Sequence, residues 1–270
     1  MRRPISPMRA EIKYLVPNNK LDKLRQAISS LVTLDKYGQQ FGDTGYTVRS
    51  IYLDTPGLTY YKEKIEGLKK RKKLRVRAYN KSESGSYVFL EIKRKEESKI
   101  AKDRARLAFG DLGAIFSAQP PPALDKIIVG NNQAITAANK FMYHLYKNNL
   151  QGINLVVYER EAYEGKINPD LRVTFDKNLR SRICSEMGQL YTEEDMQRVL
   201  ADHFILEIKY NYQFPSWLSP ILSQMGLQKQ ALSKYCMGLE KCTGLRGQEL
   251  LLSLSSRFHA SPPTTTNKPT

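Results

Sequence analysis

The segment KKRKKLRVRAYN, Lys69 to Asn80, decides the fold. In its second half Arg75 and Arg77 alternate with Leu74 and Val76. Strict alternation predicts a β-strand with one apolar and one cationic face, because successive side chains of a strand point to opposite sides. The cationic run that precedes the alternation, residues 69–73, is predicted to be a solvated hairpin turn near the mouth of a site rather than a set of ligands.

The same alternation recurs in other predicted strands of the chain. Ionic residues share one face at Glu11 and Lys13, Glu91 and Lys93, Arg104 and Arg106, Arg172 and Asp176, and Glu207 and Lys209. Like charges two residues apart on a strand lie roughly 7 Å apart and repel by about 2 kcal/mol at an effective dielectric near 20. A bound anion would relieve this repulsion. The charged face has three interpretations: a concave sheet that binds phosphates, the solvated face of an ordinary antiparallel sheet, or a nucleic-acid surface.

Helical spacing separates the predicted strands. NNKLDKLRQAISSLV places Leu21, Leu24, Ile28 and Leu31 on one face, and further helices are predicted in residues 56–67, 123–150, 215–226 and 233–242. The chain shows neither an internal repeat nor a linker within this mixture. We therefore predict one α+β domain over residues 1–252, followed by a Ser-, Pro- and Thr-rich tail at 253–270 that is expected to be disordered.

Composition narrows the function classes. The 270 residues include 43 Lys and Arg against 27 Asp and Glu, a formal net charge of +16, which favours a polyanionic partner. Three cysteines without a C-x-x-C pair argue against a disulfide framework or a zinc site, so any metal is expected to be a hard ion held by carboxylates. The same cysteine content favours a reducing, cytoplasmic location. We predict no transmembrane segment and no secretory signal.

Seven short motifs carry a family resemblance. In order they are EIKY at 11–14, LRVRAY at 74–79, LEIKRK at 90–95, YERE at 158–161, LRVTFD at 171–176, LEIKY at 206–210 and LSKY at 232–235. This series resembles the VTC domain, the polyphosphate polymerase module of the vacuolar transporter chaperone, within the triphosphate tunnel metalloenzyme or CYTH-like superfamily. The resemblance extends from about residue 9 to residue 241.

The resemblance implies a fold, an activity and a site. The fold is a closed antiparallel tunnel of eight β-strands with helices packed outside, and the activity is transfer of the γ-phosphate of ATP to inorganic polyphosphate. Glu207 would hold Mn²⁺ or Mg²⁺, and Ser233 would also cap the last helix. The catalytic set implied is Arg75, Arg77, Lys93, Arg160, Arg172 and Lys234, and the substrate-binding set is Lys13, Arg104, Tyr158, Ser233 and Lys209.

Several alternatives remain at this stage. Tunnel triphosphatases of the superfamily open with E-x-E-x-K, whereas this chain has Arg9 at the first position, which favours phosphate binding but leaves triphosphate hydrolysis as an alternative. A non-catalytic module for polyphosphate or RNA is another, although no strand presents the paired aromatics of an RNA-recognition sheet, so a nucleic-acid partner is disfavoured. Glu11 and Glu91 either pair with neighbouring cations or serve a metal.

The resemblance also bears on location and partners. Eukaryotic relatives join this domain to an SPX domain and to membrane helices, and this chain has neither, so it resembles the stand-alone prokaryotic form. We therefore expect a separate integral membrane partner that receives the polymer, and a location in the cytoplasm or peripherally at the inner membrane.

Overall fold

The computed structural model describes residues 9–40, 45–83, 85–97, 99–117, 123–247 and 249. The strands are β1 (Arg9–Pro17), β2 (Val32–Leu34), β3 (Tyr46–Asp54), β4 (Lys70–Tyr79), β5 (Tyr87–Glu96), β6 (Lys99–Ala108), β7 (Ile128–Val129), β8 (Gln151–Gly165), β9 (Arg172–Ile183), β10 (Gln197–Arg198) and β11 (His203–Asn211). The helices are α1 (Leu21–Ile28), α2 (Thr59–Ile65), α3 (Leu112–Ser117), α4 (Leu124–Ile127), α5 (Asn132–Lys147), α6 (Leu218–Gln224) and α7 (Lys234–Thr243).

Strand β4 has the two faces that its alternation predicts. Leu74 and Val76 are completely buried in the main apolar cluster, together with Phe141 of α5. The guanidinium groups of Arg75 and Arg77 lie on the opposite face of the strand. The strand begins earlier than predicted, because residues 70–73 pair in register with β5, so the hairpin-turn prediction for them is wrong.

All strands described in these ranges join one antiparallel sheet. Its main path runs β1-β11-β9-β8-β3-β4-β5-β6-β7, with β10 beside β9 and β2 beside β8. The predicted mixed α+β class is confirmed. Helix α1 ends three residues earlier than its sequence pattern suggests, at Ile28, and Val32 already belongs to β2.

Helices α1, α5 and α6 cover the outer face of the sheet. Phe141 and Leu145 of α5 pack on the apolar side of β5 and β6. Leu24 of α1 and Leu218 of α6 pack on the apolar sides of β9 and β11. On β4, β5, β9 and β11 the apolar side chains use the outer face, so the ionic side chains of these strands are left on the inner face.

Helix α7 departs from the expected packing of helices outside the sheet. Tyr235 stacks on Tyr52 with ring centroids 5.3 Å apart and shares a third cluster with Tyr158, and both partners line the inner face.

The sheet curves until its distant strands meet through side chains. The Nζ of Lys93 on β5 lies 2.8 Å from Oε2 of Glu11 on β1, although five strands separate the two in the sheet. The free edge of β1 is met by the segment before α7, since Tyr14 bridges to Lys229 and the Gln230 amide donates to the Lys13 carbonyl at 2.8 Å.

The tunnel expectation is only partly met. Within the described ranges the sheet has eleven strands rather than eight, and its hydrogen-bonded path starts at β1 and stops at β7 without returning. Closure of the sheet stays a prediction. No helix in the described part of the chain is both long and apolar enough for a membrane span. The tail prediction for 253–270 lies outside the described residues.

Candidate anion-binding site

Two cavities open on the inner face of the sheet. The first, which we name the basic cavity, has a volume of about 550 Å³ and is lined by twelve Lys or Arg side chains and only two carboxylates. The second, the aromatic cavity, has a volume of about 590 Å³. The basic cavity brings together these predicted site residues: Lys13, Arg75, Arg77, Lys93, Tyr158, Arg160, Glu207, Lys209, Ser233 and Lys234.

Strand β4 supplies two guanidinium groups to the basic cavity. The Nε of Arg75 donates to Glu91 at 2.8 Å and its Nη1 to the Tyr52 hydroxyl at 3.1 Å. The Nε of Arg77 donates to the Ser50 hydroxyl at 3.1 Å. Each group is thus fixed in direction by neighbours on adjacent strands, and a planar donor fork held in this way suits bidentate contact with phosphate oxygens.

A buried carboxylate orients two further cations. Asp176 accepts from Nε and Nη2 of Arg160 at 2.6 and 2.8 Å, and its Oδ2 lies 2.6 Å from Nζ of Lys234. Burial works to raise the pKa of Asp176, but the charges of Arg160 and Lys234 outweigh it and leave this pKa below its usual value. Asp176 therefore stays ionised and holds both cations at the cavity wall.

Strands β1 and β11 place two carboxylates among ammonium groups. Nζ of Lys13 lies 2.9 Å from Glu11 and 3.5 Å from Glu207, and Nζ of Lys209 lies 2.5 Å from Glu207. Burial acts to raise the pKa of each carboxyl group, yet the surrounding ammonium groups hold both pKa values well below the usual range. Both carboxylates are therefore available as anionic oxygen ligands.

These two carboxylates fit a hard metal ion only in combination with a substrate. The described residues contain no group of three or more His, Cys, Asp or Glu side chains arranged to hold a metal. Magnesium is commonly bound by one or two carboxylates plus substrate phosphates and water, a donor set that Glu207 and Glu11 could complete. A dedicated protein cage for the metal is thus not built into this part of the chain.

The N-terminus of α7 forms one end of the basic cavity. Ser233 caps the helix, as predicted, because its hydroxyl accepts from the Cys236 amide at 3.4 Å. The same hydroxyl accepts from Nζ of Lys73 at 2.8 Å. Burial lowers the pKa of Lys73 to about 8. A helix N-terminus with a cap and adjacent lysines is a favourable place for an anion.

Sequence reasoning missed part of this site. Lys73 belongs to the run predicted to be a turn, although it has the same strand parity as Arg75 and Arg77, and extending the alternation would have identified it. Tyr52 also lines the cavity, and burial would raise its pKa, but the charges of Arg75 and Arg77 together with nearby lysines lower that pKa to about 8. Lys64, Arg71, Lys95 and Lys229 complete the cationic lining that was not predicted.

Two predicted residues lie elsewhere. Arg104 and Arg172 line the aromatic cavity and not the basic one. Arg172 donates to Asp35 at 2.7 Å, whereas Nε of Arg104 lies 3.2 Å from Oε1 of Glu91. Glu91 and Glu11 both pair with cations across the sheet, which is one of the two alternatives drawn from the sequence. The catalytic and binding roles of all these residues stay predictions.

Comparison with known proteins gives the following similarities. HpAC1 from Hippeastrum, a protein with a dominant triphosphatase activity, is 13% identical, with a TM-score of 0.48 over 86% of this chain and 95% of that one. The PH1819 protein from Pyrococcus horikoshii OT3 is 16% identical, with a TM-score of 0.41 over 90% of this chain and 99% of that one. No curated protein matches the sequence.

A family model gives the decisive similarity. The model of the VTC domain matches residues 8–243, a span that contains every strand of the sheet and all the residues of the basic cavity. This match covers far more than half of the chain. The chain therefore belongs to the VTC domain family.

Proposed function

We propose that this chain is a polyphosphate polymerase, which transfers the γ-phosphate of ATP to the end of an inorganic polyphosphate chain held in the basic cavity. One observation carries the proposal: twelve cationic side chains and only two carboxylates surround a cavity of about 550 Å³. Such an excess of like charge is destabilising unless an anion neutralises it, and a string of phosphates carries the charge needed to do so.

The chemistry requires positioning more than proton transfer. A terminal oxygen of polyphosphate forms a bond to the γ-phosphorus of ATP while the bond from that phosphorus to the β,γ-bridging oxygen breaks and ADP leaves. The attacking oxygen is already deprotonated at neutral pH, so this transfer needs no general base. Arg75, Arg77 and Arg160 would grip the phosphate oxygens, and charge neutralisation at fixed positions would lower the barrier.

Residues at the two ends of the basic cavity complete the assignment. Lys234 and Ser233, at the N-terminus of α7, would bind the phosphate chain at one end, and Lys13, Lys93 and Lys209 would bind it along β1, β5 and β11. Glu207, with Glu11 beside it, would hold Mn²⁺ or Mg²⁺, which would supply positive charge to offset that of the phosphate oxygens. Tyr158 would donate from its hydroxyl to a phosphate oxygen.

A product assay tests the proposal. The purified chain would be incubated with ATP and Mn²⁺ or Mg²⁺, and the products would be separated by gel electrophoresis and stained for polyphosphate. We expect long chains together with ADP. An Arg75→Ala, Arg77→Ala double variant should lose both synthesis and tripolyphosphate binding, since it lacks several charge-assisted contacts. Retention of binding by this variant would count against the site itself.

A second candidate is a tunnel triphosphatase. The observation in its favour is that Glu11 and Glu207 lie on either side of the Lys13 ammonium group in the same cavity, where two ionised carboxylates could serve a metal-dependent hydrolysis. The same gel distinguishes the candidates, because a hydrolase releases free phosphate without polymer. Tight binding of polyphosphate with neither product would instead indicate a non-catalytic binding module.

Transfer of the polymer to a separate integral membrane partner, at the inner face of the cytoplasmic membrane, forms part of this proposal. Its support is the family membership together with the net charge of +16, which favours anionic surfaces. Affinity capture from detergent-solubilised membranes with the tagged chain should recover an integral membrane protein. Recovery of soluble proteins only would contradict this part.

A further inference from the structure

The inner face of the sheet changes its chemistry along the strands. On β4 the inward residues Lys73, Arg75 and Arg77 are followed by Tyr79, and on β5 the order runs from Lys93 through Glu91 to Phe89. The cationic ends of both strands line the basic cavity, while Tyr79 and Phe89 line the aromatic cavity. A ligand extended along these strands would therefore meet aromatic rings at one end and cations at the other.

The aromatic cavity is built from rings that hold one another in place. Tyr37 and Tyr46 meet edge to face with centroids 4.7 Å apart, and Tyr79 and Phe89 meet in the same way at 5.8 Å. Its volume of about 590 Å³ falls in the range of about 300–1,000 Å³ that is typical of small-molecule pockets. Rings fixed by one another in this way give the cavity a rigid aromatic lining.

Arg104 provides a fixed flat surface in this cavity. Its guanidinium carbon lies 3.5 Å from the centroid of the Phe89 ring, its Nη2 donates to the Tyr79 hydroxyl at 3.2 Å, and its Nε contacts Glu91. Three contacts therefore fix the plane of the guanidinium group, while its side chain stays 38% exposed. Nucleobases stack on arginine planes and on aromatic rings, so this arrangement is suited to a base.

We propose that the aromatic cavity binds the base of a nucleoside triphosphate, stacked on the guanidinium group of Arg104, with the phosphates directed into the basic cavity. This inference rests on the proposed function, since it assigns the orientation of the nucleotide substrate in the site. It also changes the role expected of Arg104, from a phosphate ligand to a stacking platform. Inorganic polyphosphate has no flat face and would gain nothing from such stacking.

Glu91 lies between the two cavities and contacts an arginine of each. Its Oε2 lies 3.9 Å from Nε of Arg77 in the basic cavity, and its Oε1 lies 3.2 Å from Nε of Arg104 in the aromatic cavity. Tyr79 and Arg77 are two residues apart on one strand, a separation of roughly 7 Å. Phosphates attached to a base on Arg104 would thus come within reach of Arg77 and then of Arg75.

A comparison of ligands on the unaltered chain tests the inference without any variant. Calorimetry would measure the affinities of ATP, tripolyphosphate and a base-free ribose triphosphate. We expect ATP to bind about tenfold more tightly than the base-free compound, the size typical of one stacked base. Equal affinities would overturn the base site while leaving the proposed function intact. Failure of all three ligands to bind would contradict the proposed function itself.

Two variants test whether Arg104 and Phe89 provide the contribution of the base to ATP affinity. Arg104→Lys keeps the positive charge but removes the planar guanidinium group, and Phe89→Leu removes the ring on which that group lies. Each should weaken ATP binding about tenfold with a much smaller change for tripolyphosphate. Equal losses for the two ligands would overturn the inference, because Arg104 would then act on phosphate alone. Tyr143→Leu is the matched control and should leave both affinities unchanged. Tyr143 is an exposed ring of α5 with Nζ of Lys147 5.1 Å from its centroid. It thus resembles the stacked rings of the site but lines neither cavity.

Discussion

The carboxylate of Glu91 lies 2.7 Å from Nη2 of Arg75, and the Glu91 side chain is 1% exposed. Its other oxygen lies 2.7 Å from Nζ of Lys102 and 3.2 Å from Nε of Arg104. Burial acts to raise the pKa of Glu91, but Arg75, Arg77 and Lys102 hold this pKa far below its usual range. One ionised carboxylate thus partly neutralises the cations of both cavities when no ligand is bound.

Glu91→Gln should destabilise the unliganded fold by about 3 kcal/mol, because removal of one member of a buried ionic cluster leaves its partners uncompensated. Since the folded-state pKa is depressed, the stabilisation by Glu91 is full above the ordinary carboxyl pKa and is lost as pH falls. Urea unfolding at neutral pH measures the loss. Saturating tripolyphosphate should restore stability more in the variant than in the unaltered chain.

The matched control for this prediction is Glu159→Gln. The carboxylate of Glu159 is 38% exposed and lies 3.2 Å from Nη1 of Arg180, so its replacement should cost no more than about 0.5 kcal/mol. Equal losses of unfolding free energy in the two variants would mean that the buried Glu91 cluster stabilises the fold no more than an exposed ion pair does.

Anion binding should weaken as pH rises through 8 because of Lys73. Its folded-state pKa, lowered to about 8 by burial, lies below the ordinary lysine value, so the side chain is charged below that pH and neutral above it. A bound phosphate favours the charged form. Tripolyphosphate affinity measured by calorimetry at constant ionic strength should therefore be higher at about pH 7 than at about pH 9.

Lys73→Arg separates this residue from its neighbours. Lys102 and Tyr52 also have a pKa of about 8, the first lowered by burial and the second by nearby Arg and Lys charges that overcome burial. Arginine keeps its charge throughout this range, so the variant should show a smaller fall in affinity with pH. Parallel pH curves for the two proteins would assign the whole effect to the other groups.

Asp54 should prove to be a positioning residue for α7. It accepts from the Tyr60 and Tyr61 amides at 2.9 Å, at the start of α2, and from the Tyr235 hydroxyl at 2.7 Å, next to Lys234. Asp54→Asn should cost about 2 kcal/mol in urea unfolding and Tyr235→Phe about 1 kcal/mol. The losses should not add in the double variant, because the two residues share one hydrogen bond.

A kinetic readout separates positioning from mere stability. Tyr235→Phe should lower the rate of polymer synthesis at saturating ATP, since Lys234 would lose a fixed neighbour, whereas Tyr212→Phe should leave it unchanged because Tyr212 is 79% exposed. An unchanged rate in Tyr235→Phe would leave the Asp54 contact a purely structural one.

The alternation of β4 was predictable because the side-chain period of a strand is fixed by backbone geometry. Extending the same alternation would also have placed Lys73 on the cationic face, but its pairing with Lys93 of β5 is not visible in an unbroken run of cations. The division of the charged face into two cavities was equally hidden. Arg104 and Arg172 share the parity of the other site residues, but parity assigns a residue to a face of the sheet and not to a position within that face, so their place in the aromatic cavity was not predictable.

Leu74→Ala should destabilise the fold by about 3 kcal/mol, because the side chain is completely buried in the main apolar cluster and its loss leaves a cavity. Ile183→Ala is the control, since Ile183 is 51% exposed at the end of β9 and should lose no more than about 0.5 kcal/mol. Thermal and urea unfolding measure both. Similar losses would contradict the assignment of the apolar face of β4 to the core.

Glu207→Gln should separate catalysis from anion binding. In the unaltered chain Glu207 contacts Lys209 at 2.5 Å and Lys13 at 3.5 Å, so removal of its charge leaves those two ammonium groups more available to phosphate. In the absence of divalent ions, tripolyphosphate should therefore bind at least as tightly to the variant as to the unaltered chain. Polymer synthesis with Mn²⁺ should nevertheless fall by about 100-fold, because the variant lacks the carboxylate that would hold the metal.

Excess chelator should abolish synthesis by the unaltered chain and leave the residual activity of the variant almost unchanged. A variant that retains full, chelator-sensitive synthesis would show that the metal is held elsewhere and that Glu207 serves only to pair with Lys13 and Lys209.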